Sequence, residues 1–151
     1  MIRGEFRPAA AGFTIMELAM VIVIVAVLAA FAASRINTAS FTTEGTANEV
    51  AAAVRYAQKL AISQHRTVAV VVTPSNLQLC YTDTACSGGA VRKPPGTDAF
   101  TVGSSGVTLG GASFTFNALG KPSAGGTITV TGDGTKNVII ESETGYVRYV
   151  P

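Results

Sequence analysis

The side chain best placed to do chemistry in this sequence is Glu17, which stands at the head of a stretch, Leu18 to Ser34, that holds no charged residue. A carboxylate one helical turn into an apolar membrane segment costs several kcal/mol unless a positive group meets it. Its chemistry is therefore ion pairing. Upstream lie Arg3 and Arg7, then Ala9-Ala10-Ala11-Gly12, then Phe13. A cut after Gly12 would remove the basic leader, keep the apolar stretch and free an amine on Phe13, the one cation then within reach of Glu17. Gly12 suits such a cut, because a residue without a side chain lets a protease approach the backbone closely.

The other reactive side chains are few. Cys80 and Cys86 are the two cysteines, and in an oxidising compartment they form a disulfide. The rival is a metal site, but with His65 as the single histidine and no second cysteine pair, four soft zinc ligands cannot be assembled. Asp133, between two glycines, lacks the further carboxylates of a calcium loop. The glycine pairs make neither GxxxxGK[ST] nor a strand-GxGxxG-helix arrangement. His65 reads as a helix-end histidine that suits the helix dipole. No catalytic residue, metal site or cofactor is expected, and the chain is read as no enzyme.

These residues must be carried by something, and composition says what. With 48% hydrophobic and 13% charged residues, the chain is too apolar for a disordered protein. Much of that content is the run LAMVIVIVAVLAAFAA, a membrane segment over 18–34. An ordinary secretory signal has its cleavage site after the apolar run and loses it. Here the small residues come before the run, so the anchor stays. The basic leader holds that end in the cytoplasm, which sends everything after the apolar run of this single-pass chain to the periplasm or the outside.

The helical period continues past the membrane. Val50, Ala53, Val54, Ala57, Leu60 and Ala61 form one stripe, with Glu49, Arg55 and Lys59 on other faces. Between the halves, Thr38, Ser40, Thr42, Thr43, Gly45 and Thr46 gather weak helix formers, and a bend or loosened turn is expected within Asn37 to Asn48. After His65 the period becomes two. Strands are expected at Thr67 to Thr73, Leu77 to Tyr81 and Ser113 to Asn117, with a hairpin joining Thr127 to Thr131 with Asn137 to Glu141, and a last strand from Tyr146 to Val150. Ser87 to Gly111 reads as loop, with one short strand around Val107 and Leu109. The expected fold class is α+β, a lollipop: a leader over 1–12, a stalk helix over 13–65, and a small antiparallel β head over 66–151.

GFTIMEL followed by about twenty apolar residues resembles the processing signature of type IV prepilins and type II secretion pseudopilins. The resemblance implies a cut between Gly12 and Phe13 by prepilin peptidase, N-methylation of Phe13, and an assembly salt bridge from Glu17 of an arriving subunit to the Phe13 amine of a neighbour. The Phe-x-Phe-x-x-x-Gly segment (Phe114, Phe116, Gly120) and Thr144-Gly145-Tyr146-Val147 resemble the GspH/FimT group of minor pseudopilins. The cysteine pair and AQKLAISQHRTVAVVV look like the minor pilin of the mannose-sensitive haemagglutinin pilus. The partners so implied are other pilins in a helical filament, the peptidase and an inner-membrane assembly platform, with priming or modulation of assembly as the function. The alternatives are a pseudopilin of type II protein secretion, or a tip adhesin or DNA-binding minor pilin. Arg92, Lys93, Lys121, Lys136 and Arg148 are scattered among acids such as Glu141 and Glu143, which argues against nucleic acid, since phosphate recognition needs clustered charge.

Overall fold

The computed structural model describes residues 12–33 and 38–150. They divide between two compact units, Met1–Ile36 and Asn37–Pro151. The leader over 1–11 lies outside the described residues.

The described part of the first unit is a single helix, α1 (Ile15–Ala33). Its β-branched residues are poor helix formers, yet a continuous apolar run that must satisfy its own backbone has the helix as its natural solution in lipid. No residue of α1 is buried within the chain. Its side chains await cover from outside.

The second unit begins with α2 (Thr38–Gln64). The loosened turn allowed for here is absent: helical hydrogen bonding runs unbroken from Thr38 through Asn48, while Asn37 lies outside the described residues. Tertiary contact overrides propensity. Thr43 and Thr46 are buried, Thr46 Oγ1 donates to the Thr42 carbonyl at 2.8 Å, and Thr43 Oγ1 accepts the Asp133 N–H at 3.3 Å. The C-terminal end matches expectation. His65 takes a left-handed φ of 49°, and the Arg66 N–H closes the last turn on the Ala61 carbonyl at 3.2 Å.

Eight strands follow: β1 (Val68–Val72), β2 (Leu77–Tyr81), β3 (Thr101–Val102), β4 (Thr108–Gly110), β5 (Phe114–Phe116), β6 (Gly126–Thr131), β7 (Thr135–Ile140) and β8 (Val147–Val150). All the ladders are antiparallel, as the period-two segments foretold, but they build two four-stranded sheets, ordered β3-β2-β1-β5 and β4-β6-β7-β8. The chain leaves the first sheet after β3 to lay β4 on the edge of the second, returns for β5, and then crosses for good. The β6–β7 hairpin turns at Gly132-Asp133-Gly134 as expected, with Thr131 paired to Thr135.

One core serves both sheets. The predicted stripe of α2 supplies it, since Val50, Ala53, Val54, Ala57 and Ala61 are buried and Leu60 packs against them. Small alanines along that stripe let the sheets approach closely, where they bring Leu77, Leu79 and Phe116 from one side and Ile128, Val130, Val138 and Val147 from the other. β3 had no sequence signature, because two residues are too few to display a period.

Candidate functional site

At the start of α1, Gly12 and Phe13 precede the helix and are exposed. Thr14 caps it: its hydroxyl accepts the Glu17 N–H at 3.2 Å, and its carbonyl accepts the Leu18 N–H at 3.1 Å. Glu17 therefore occupies the third helical position, where a carboxylate also suits the positive end of the helix dipole. Sequence reasoning missed this second role, although Thr-x-x-Glu before an apolar run is the signature of a capping box. In the intact chain the Phe13 nitrogen is an uncharged amide bonded to Gly12. Only a cut at that bond would turn it into a cation for Glu17.

The cysteines meet as expected, in a disulfide between Cys80 on β2 and Cys86 in the following loop, with Cα atoms 5.1 Å apart. The loop is pinned at further points. The Asp83 carboxylate accepts the Ser87 N–H at 3.0 Å and the Ser87 hydroxyl, and these bonds hold its pKa below the usual carboxylate value. Cys80 also bridges to Ala90 across the loop, and Arg66 lies 3.8 Å above the Tyr81 ring on the same strand. Replacing both cysteines with serine is expected to lower the stability of the head by about 2 kcal/mol, the entropy of so short a closed loop. Chemical denaturation of the oxidised protein and the double variant checks this, and equal midpoints would refute it.

The two sequence segments that carried the minor-pseudopilin resemblance are brought together at the far end of α2. Gln58 Nε2 donates to the Gly120 and Thr144 carbonyls, both at 2.9 Å. Arg55 Nη2 donates to the Val147 carbonyl at 3.1 Å. A Cβ on Gly145 would come within 2.8 Å of the Gly120 carbonyl oxygen, so the loops after β5 and β7 touch backbone to backbone. Lys121 and Glu143 join the same loops by an ion pair of 2.7 Å. Neither Gln58 nor Arg55 stood out in the sequence, because a polar residue beside a helical stripe reads as solvated until its partners, some sixty or more positions away, are known.

The remaining candidates stay apart. His65 is exposed, and among the described residues no group of acidic, histidine and cysteine side chains could hold a metal ion. Arg92 lies in the loop after β2, Lys136 on β7 and Arg148 on β8, while Lys121 is engaged by Glu143. These cations belong to different elements.

A capped apolar helix, then a helix packed on antiparallel strands, is the architecture of pilin-like proteins. Residues 46–145 match the family described as Type II transport protein GspH, and the chain belongs to that family. The fold resembles the type IV minor pilin FimU of Pseudomonas aeruginosa at 19% identity and a TM-score of 0.56, over 74% of this chain and 90% of that one. It also resembles the minor pseudopilin EpsH from the Type 2 Secretion System of Vibrio cholerae, at 14% identity and a TM-score of 0.57, over 72% of this chain and 95% of that one. No curated protein matches the sequence. The matched region holds Gln58, Cys80, Cys86 and Gly120 and ends at Gly145, whereas Gly12, Phe13 and Glu17 lie outside it.

Proposed function

We propose that this chain is a minor pilin or pseudopilin: prepilin peptidase cuts it between Gly12 and Phe13, Phe13 is N-methylated, and α1 anchors it in the bacterial inner membrane with the head in the periplasm. It is then built into a pilus or pseudopilus through an assembly platform, where it primes or modulates assembly. The observation that carries the reading is α1 itself, an apolar helix of 19 residues with no burial inside its own chain, next to a head of the GspH family. Such a helix needs lipid before assembly and neighbouring helices after it. The likeness of the cysteine pair and the α2–β1 junction to the minor pilin of the mannose-sensitive haemagglutinin pilus favours a pilus as the destination.

The test is the mature amino terminus. Filament material should begin at Phe13 and carry one additional methyl group on its amine, and Gly12→Val should accumulate as the uncut chain in membranes. Filaments containing chains that begin at Met1, or that are trimmed beyond Ala33, would overturn the reading.

A further inference from the structure

Three of the four large apolar side chains that the second unit exposes among its described residues crowd one place. Leu119 is 87% exposed, Tyr146 63% and Ile62 45%. Leu119 precedes Gly120, Tyr146 follows Gly145 and the Ile62 side chain reaches Gly120, so the three surround the junction where those glycines meet. Leu119 is held rigidly. The Leu119 and Lys121 N–H groups both donate to Asn117 Oδ1 at 3.0 Å, and the Gly120 N–H donates to the Asn117 carbonyl at 2.9 Å. A single exposed leucine needs no explanation, but three apolar side chains together on a fixed support mark a contact surface.

On the other flank of α2 lies an apolar groove of about 410 Å³. Ala52 and Tyr56 line it from the helix, Pro94 and Phe100 from the loop between β2 and β3. The Tyr56 and Phe100 rings stack with their centroids 5.2 Å apart. Glu49 on the helix and Lys93 on the loop border the groove, both exposed, and among the described residues neither is in an ion pair.

We infer that this groove receives the Leu119 knob of a second copy of the chain. Charge complementarity names the occupant. The knob is flanked by Lys121 and Glu143 and the groove by Glu49 and Lys93, so one alignment sets each cation against a carboxylate. The ammonium and the carboxylate of the knob keep donors and lone pairs beyond those they spend on each other. A copy cannot fill its own groove. Tyr56 borders the groove and Gln58 holds the junction, and two residues of helix place them about 200° apart. Knob and groove are thus different surfaces, and each copy has one of each to offer. The contact joins heads and takes nothing from the reading of the chain as a filament subunit.

The test is site-specific crosslinking of the full chain in membranes, with photoreactive p-benzoylphenylalanine at Thr97, exposed in the loop that walls the groove. Irradiation should give a covalent dimer of two copies, the link mapping to residues 117–121 or 143–146 of the second. Leu119→Asp should lower the dimer yield at least about tenfold, and Ala52→Trp, which fills the groove and leaves the knob alone, should do the same. Lys121→Glu with Glu143→Lys keeps the ion pair inside the chain but turns it round, and should lower the yield about threefold. Adding Glu49→Lys and Lys93→Glu to that chain should restore the yield to within about twofold of the parent. A merely structural role for the pair would leave both reversals silent. All the substituted side chains are exposed, so the head keeps its core in every variant. No dimer, a link to a different protein, a link elsewhere on the second copy, or a yield indifferent to Leu119→Asp would overturn the proposal.

Discussion

Replacing Gly145 with alanine should unfold the head at a temperature lower by more than about 12 °C, a loss of roughly 3 to 5 kcal/mol for a domain of this size. Gly145 holds a φ of 67°, in the left-handed region where a side chain costs about 1 to 2 kcal/mol. A methyl group there would also meet Gln58 Nε2 at 2.6 Å, the Gly120 carbonyl oxygen at 2.8 Å and Phe116 Cε1 at 2.9 Å. Backbone and a buried ring cannot give way as a chain end can, so overpacking adds about 1 to 3 kcal/mol. Displacing Gln58 breaks its bonds to Gly120 and Thr144 as well, each worth about 1 kcal/mol. Gly120→Ala is the informative comparison. Its φ is 80°, but the atom in its way is the Cδ1 tip of half-exposed Ile62, which can move, so its cost should be nearer 2 kcal/mol. Gly126→Ala, with open space around its Cβ, should change the melting point by no more than about 3 °C. Thermal melts of the detergent-solubilised chain, followed by near-ultraviolet circular dichroism, give the ranking directly. Equal losses at Gly145 and Gly126 would show that the loops do not depend on their close approach.

That junction also shows where the sequence was legible. The inner face of α2 could be read because Val50, Val54, Ala57 and Ala61 repeat at a helical period, and a period is local information. The β6–β7 hairpin could be read because Thr127 to Thr131 alternates and Gly-Asp-Gly can only turn. The division into two sheets could not, because it depends on which strand edges meet, and β4 and β5 are three residues each. The Phe-x-Phe-x-x-x-Gly and Thr-Gly-Tyr-Val segments were visible as motifs without a reason for their residues. The reason is tertiary, a polar side chain on α2 that reaches the backbone of both.

At the amino terminus legibility ran the other way. The sequence made Glu17 a carboxylate in search of a cation, and the structure shows that its backbone N–H, not its carboxylate, meets the Thr14 cap. Charge and helix start can therefore be varied separately, at Glu17 and at Thr14.

Glu17→Gln should therefore leave α1 and its membrane insertion unchanged yet lower the chain's share of filaments by more than about a hundredfold. The two bonds at the helix start run from the Glu17 and Leu18 N–H groups to Thr14 and use no carboxylate atom, so glutamine retains both. What the substitution removes is the charge. Under the proposed assembly the Phe13 ammonium of a neighbour would then be buried without a counter-ion, and removing one partner of a buried pair costs about 3 to 5 kcal/mol. A factor of ten in occupancy corresponds to about 1.4 kcal/mol, which gives the hundredfold loss. Thr14→Ala is the mirror experiment. It deletes the hydroxyl that receives the Glu17 N–H but leaves the carboxylate, so it should fray the first turn at a cost of about 1 kcal/mol and reduce incorporation less than about tenfold. Both variants are to be scored in the same cells, by carbonate-resistant membrane protein for insertion and by sheared filaments for incorporation. If Glu17→Gln incorporates as the parent does while Thr14→Ala fails, the helix start and not the Glu17 charge governs incorporation, and the ion-pair mechanism is wrong.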